Sequence, residues 1–119
     1  MTRQKRNTEQ AEENYLERIP THAPDAVWRE DAFGRVTFER RNRGLIHHVT
    51  RILFEGPKST FVHLDRVGGF VWQSMDGVRS VGALGEAMEA EFGERIQPTY
   101  ERLVFFLEML DRQGWIRWK

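Results

Sequence analysis

The chain has 119 residues, the size of one domain, and 39% of them are hydrophobic, enough for one modest core. Formal charge is zero and the pI is about 6.9, so no global field recruits nucleic acid or an anionic membrane. The lack of cysteine excludes disulfides, thiolate catalysis and cysteine-based zinc sites. It also favours a cytoplasmic home, because small secreted domains often need such staples; no apolar run has the length of a membrane span or the form of a signal peptide.

Residues 1–14 are almost all polar or charged and predict a disordered tail, leaving 15–119 as the domain. Tyr15, Leu16 and Ile19 are the first apolar anchors, followed by Pro20 and Pro24. "AVWRE" and "RVTFER" read as strands joined by "DAFGR", a hairpin loop with Gly34. Period-2 alternation puts Trp28, Val36 and Phe38 on one face. "RNRGLIHHVTRILFEGPK", residues 41–58, then carries Leu45, Val49, Ile52 and Leu53 at helical spacing up to Gly56-Pro57. It predicts an amphipathic helix inserted between strands. Arg40, Arg41, Arg43 and Arg51 in and beside it make the region basic. "STFVHL" reads as the third strand.

Asp65 is placed as an N-cap for a helix with Val67, Phe70, Val71 and Met75 on its apolar face and Gly77 at C′. Ser80 caps the next helix, with Val81, Leu84, Met88 and Phe92 on its face and Gly93 after it. The last helix starts with Pro98 near N1 and stops at Gly114; "WIRW" ends the chain as an extended segment or tail. Strands first and helices after predict an α+β domain: a small three-stranded antiparallel sheet followed by a three-helix bundle, in a winged-helix-like layout.

Within "HLDRVGGFVWQSMDG" the first helix holds two adjacent glycines, each costing about 1 kcal/mol relative to alanine. At 100° per residue Trp72 points away from the Val67/Phe70/Val71 face. The helix therefore needs cover on two sides. Either the glycines admit a neighbouring helix and Trp72 packs under the inserted segment, or part of this surface belongs to a partner. The last helix raises the same question. Tyr100, Leu103, Val104, Leu107 and Leu110 share one face, while Phe105, Phe106 and Met109 form a second, with Arg102 beside them. That second face can pack on the sheet or wall a groove next to the third strand.

Nothing in the sequence predicts catalysis. His22, His47, His48 and His63 have no metal-ligand spacing, and Glu86, Glu89, Glu91 and Glu94 read as a solvated face. "VGALG" lacks the Lys and Ser/Thr of a phosphate-binding loop, and no cofactor is implied. The alternative is a winged-helix DNA-binding regulator. Its recognition helix would be Pro98–Gln113, where Glu101, Glu108 and Asp111 outnumber Arg102 and Arg112 and phenylalanines occupy outward positions. Phosphate and base contacts call for other residue types there.

"HLDRVGGFVWQSMDGVRSVGALGEAMEAEFG" together with "YERLVFFLEMLDRQGWI" resembles the PqqD family (coenzyme PQQ synthesis protein D-like). The resemblance spans roughly Val27 to Trp118 and is most specific from His63 to Ile116. It implies a non-catalytic peptide chaperone, a RiPP recognition element. Such a domain binds the leader of a ribosomally made precursor peptide and presents it to a modifying enzyme, often a radical SAM enzyme. By position it implies that the leader adds as a strand beside Ser59, Thr60, Phe61, Val62 and His63. Apolar leader side chains would enter a groove walled by Arg102, Phe105, Phe106 and Met109. The basic insertion is extra to short members of the family; it would dock the enzyme or steer an acidic leader. An exposed strand edge can also pair with a second copy of the chain.

Overall fold

The computed structural model describes residue 11 and residues 14–41 and 59–119; of residues 40, 41, 59 and 60 it describes the backbone alone. The expected disordered tail falls mostly, and the inserted helix almost entirely, outside these residues. A helical turn at 14–17 precedes strand β1 (Pro20–His22), β2 (Val27–Glu30), β3 (Val36–Arg41) and β4 (Ser59–His63). Helices α1 (Arg66–Ser74) and α2 (Val81–Phe92), a 3₁₀ turn (Gly93–Ile96), α3 (Thr99–Arg112) and strand β5 (Ile116–Trp118) complete the order. The architecture is α+β, as the sequence predicts.

β2, β3 and β4 form an antiparallel sheet in that order. The β2–β3 register pairs Val27 with Glu39 and Glu30 with Val36. Asp31 closes the hairpin: its N–H donates to the Arg35 carbonyl (2.9 Å), and its carboxylate accepts from the N–H groups of Phe33 and Arg35 (2.8 and 2.9 Å). Those bonds, the Arg35 one foremost, hold the Asp31 carboxyl below its ordinary value. Gly34 takes the positive φ of 79° that this loop requires. Arg41 and Ser59 are cross-strand partners, so the insertion leaves and rejoins the sheet at one point.

The terminal "WIRW" resolves into a strand. β5 pairs antiparallel with β1, Pro20 opposite Trp118 and His22 opposite Ile116. This second sheet has no counterpart in the expected layout.

The helix boundaries follow local chemistry. Asp65 caps α1 by accepting from the Gly68 N–H at 2.7 Å. α1 then ends sooner than Gly77 predicts: Met75 is the C-cap, so Asp76 holds C′ and Gly77 lies one residue beyond. The Asp76 carboxylate accepts from the N–H groups of Val78 and Arg79 (2.9 and 2.8 Å) and offers the backbone a turn in place of further helix. Ser80 caps α2 through the Ala83 N–H. Pro98 is the N-cap residue of α3 rather than N1: it is extended (ψ 111°), and its carbonyl accepts the bond from the Arg102 N–H at 3.2 Å. At the other end Gly114 (φ 78°) donates to Asp111 and Trp115 donates to Leu110, the two bonds of a Schellman motif.

The core lies between the sheet and the helices. Phe38 stacks on Trp115 (centroids 4.3 Å apart, 7° between planes) and meets Trp72 edge-on at 4.5 Å. Trp72 is fully buried. Among the described residues its cover is His22 of β1, stacked on the indole at 3.7 Å, and Trp28 of β2, edge-on at 5.7 Å; the inserted segment expected there lies outside them. His22 Nε2 also donates to the Trp72 carbonyl at 2.7 Å. The glycine pair serves two neighbours. A Cβ on Gly68 would sit 3.2 Å from the Phe106 ring of α3, and one on Gly69 would sit 3.5 Å from Val36 Cγ2 of the hairpin. The close approach is thus to a helix on one side and to the sheet on the other.

Candidate functional site

β4 has one neighbour, β3, among the described residues, and its other edge is free of any strand among them. Its hydrogen-bond phase follows from one bond. Leu64 N–H donates to the Val36 carbonyl at 2.9 Å, in register with the β3–β4 ladder. Antiparallel pairs alternate between bonded and non-bonded, so Val62 and Thr60 bond inward to Phe38 and Arg40. The N–H and C=O groups of His63, Phe61 and Ser59 point away from the sheet. Side chains alternate in the same phase. Val62 is half-buried and packs on the core, whereas Phe61 is 48% exposed and His63 is exposed on the opposite face, which is free of helices among the described residues. The close spacing of the non-bonded Thr37–His63 pair brings Thr37 Oγ1 within 3.0 Å of His63 Nδ1.

α3 presents its two apolar faces differently. Leu103, Leu107 and Leu110 are fully buried. On the second face Phe106 and Met109 are half-buried against the core, while Phe105 is 75% exposed. Phe105, Phe106 and Arg102 line a cleft of about 460 Å³. Its opposite wall is α1, through Val67, Gly68 and Val71, and Met88 of α2 lies at its base. A hollow of about 150 Å³ adjoins, lined by Phe105, Met109 and Arg112 among others. Phe105 therefore forms the ridge between two depressions.

The sequence-derived site residues thus fall into groups. Arg102, Phe105 and Phe106 share the cleft, and Phe105 and Met109 share the hollow. Phe61 and Val62 line neither, the side chains of Ser59 and Thr60 lie outside the described ones, and His63 lines a separate recess beside the Asp31–Arg35 loop. Among the described residues the cleft is walled by α1 and α3. It still adjoins the strand, because Asp65, two residues past the end of β4, is one of its lining residues. Sequence reasoning missed Val67, Gly68, Val71 and Met88 as cleft residues. The glycine pair was the available signal: Gly68 lets Phe106 approach α1 and so shapes the cleft.

Charge does not favour an anionic ligand here. Glu101, Arg102, Glu108, Asp111 and Arg112 are all exposed along α3, a net negative surface. Among the described residues no group of three or more His, Cys, Asp or Glu is placed to hold a metal, and no helix is long and apolar enough to cross a membrane.

A family model described as "Coenzyme PQQ synthesis protein D (PqqD)" matches residues 50–116, more than half of the chain. The chain belongs to the PqqD family. No curated protein and no solved structure gives a match. The PqqD match takes in β4, the three helices and the first residue of β5, and so includes both the free edge and the cleft. It begins after the β2–β3 hairpin. Trp28, which packs on Trp72, and Val27 on the exposed sheet face thus lie outside the span matched to PqqD.

Proposed function

We propose that this PqqD-family chain is a non-catalytic chaperone for a ribosomally made precursor peptide. The leader pairs as an added strand with the free edge of β4 and packs apolar side chains against α3. The chain then presents the peptide to a modifying enzyme, of the radical SAM class in the closest reading of the family. The observation that carries this is the conjunction of outward N–H and C=O groups at Phe61 and His63 with an apolar cleft starting two residues further on. Edge pairing supplies affinity that is independent of sequence, and side-chain pockets supply selectivity. A ridge such as Phe105, exposed on a helix otherwise anchored in the core, gives an extended chain something to straddle.

The test is calorimetric titration with the leader segment of the precursor peptide encoded beside the gene, using wild type and Phe106→Glu. A carboxylate buried against an apolar leader side chain, without a partner, costs about 1–3 kcal/mol or more, so binding should weaken about five-fold or more. Circular dichroism checks that the variant is folded. A folded Phe106→Glu protein with wild-type affinity would move the site away from the α1–α3 cleft.

A further inference from the structure

The edge of β4 has two sides, and the cleft uses one of them. On the helix-free face Val27, Glu39 and Phe61 form one cross-strand row, and Arg29, Thr37 and His63 form the next. Val27 and Phe61 are 46% and 48% exposed, an apolar pair on an open sheet face. Arg29 reaches across from β2 to set its guanidinium 5.8 Å from the centre of the Phe61 ring. Among the described residues it forms no salt bridge; those recorded are Arg35 with Asp31 and Arg79 with Asp76. Its charge therefore lies over the last ring before the free edge.

We infer that the peptide is read on this face as well: an apolar side chain lies on Phe61, and an acidic side chain two residues along the peptide meets Arg29. The inference rests on the edge-pairing reading above. The phase of the strand makes it specific. The residues with outward N–H and C=O groups are the same ones whose side chains lie on the helix-free face, so a paired peptide must place every second side chain beside Phe61 and His63. The remaining side chains turn toward the helices. A peptide recognised here has an apolar residue at alternate positions for the cleft. Interleaved with these are an apolar and an acidic residue for the open face. The acid complements the Arg29 guanidinium, which forms no salt bridge among the described residues, and the Phe61 ring extends the contact area for its neighbour.

The experiment is selection of short random peptides, displayed on phage, against the full chain and against Phe61→Ser and Arg29→Glu. Both positions are exposed, so both variants should fold; circular dichroism checks this. Peptides selected on the wild type should show two interleaved patterns, and a selected peptide should bind Phe61→Ser about five-fold more weakly. On Arg29→Glu the acidic preference should invert to Lys or Arg, and a charge-swapped peptide should recover affinity at low salt. If selected peptides alternate as expected for the cleft but show no preference at the interleaved positions, or keep an acidic preference on Arg29→Glu, this inference fails and edge pairing stands. If wild-type selections show no two-residue periodicity, edge pairing fails and the inference falls with it.

Discussion

Proline substitutions at two adjacent positions of β4 should have opposite consequences. Val62 N–H bonds inward to the Phe38 carbonyl, by alternation from the Leu64–Val36 bond. Phe38 is fully buried, so Val62→Pro would leave its carbonyl without a donor and without water. An orphaned buried acceptor costs about 1–3 kcal/mol. At roughly 4–8 °C per kcal/mol for a domain near this size, the melting temperature should fall by about 5–20 °C. Phe61 N–H points to the free edge, where proline is tolerated. Phe61→Pro should melt within a few degrees of Phe61→Ser, which removes the same ring and keeps the N–H. The two differ in binding: one main-chain bond contributes about 0.5–1.5 kcal/mol, so the proline variant should bind the leader about 2- to 12-fold more weakly than the serine variant. Thermal melts followed by circular dichroism and titration of the same samples give both numbers. Equal destabilisation by proline at 61 and 62 would refute the hydrogen-bond phase. Equal leader affinity for Phe61→Pro and Phe61→Ser would refute strand addition at this edge.

Gly85→Ala should destabilise the domain by about 1–3 kcal/mol, seen in urea unfolding, because a Cβ there would lie 2.6 Å from Tyr100 Cζ and force α2 and α3 apart. The Asp76 carboxyl is held below its ordinary value of 3.8, first by the Arg79 N–H and then by the Val78 N–H. A depressed folded-state value stabilises the fold fully above about pH 4 and progressively less as pH falls through the folded value. Asp76→Asn keeps the acceptor oxygen and loses the titration, so urea midpoints of variant and wild type should be separated above the ordinary carboxylate value and converge as pH falls through the depressed folded value.

Much of the fold was legible because its signals are local. The hairpin announced itself through Gly34 between two alternating runs, and Asp65 and Ser80 are caps whose side chains bond as their positions predict. The second sheet was not legible. β1 and β5 have three residues each, too short for periodicity, and they pair across nearly the whole chain. His22 has no metal-ligand spacing in the sequence, but nothing there shows that its ring forms one face of the Trp72 stack. The described cover of Trp72 includes His22, and that contact could not be read without β1. For the site, the exposed Phe105 and the strand edge were both visible as a surplus of apolar and strand-forming residues. The opposing wall of the cleft was not, because a small residue such as Gly68 gives no sign of which ring it makes room for.

The pairing of β1 with β5 has a mechanical consequence. Pro20 lies opposite Trp118, so both chain ends leave from the same end of the two-stranded sheet. A force that draws residues 19 and 119 apart would load these backbone bonds one after another, as in opening a zip, rather than all together in shear. The first bonds to part would include that between the Lys119 N–H and the Ile19 carbonyl. Tension on the ends would then reach Ile116 and Trp115, against which Phe38 is stacked, before it reached the helices. The domain should therefore yield at low force when pulled from its termini and resist far better when the same load is applied along β4.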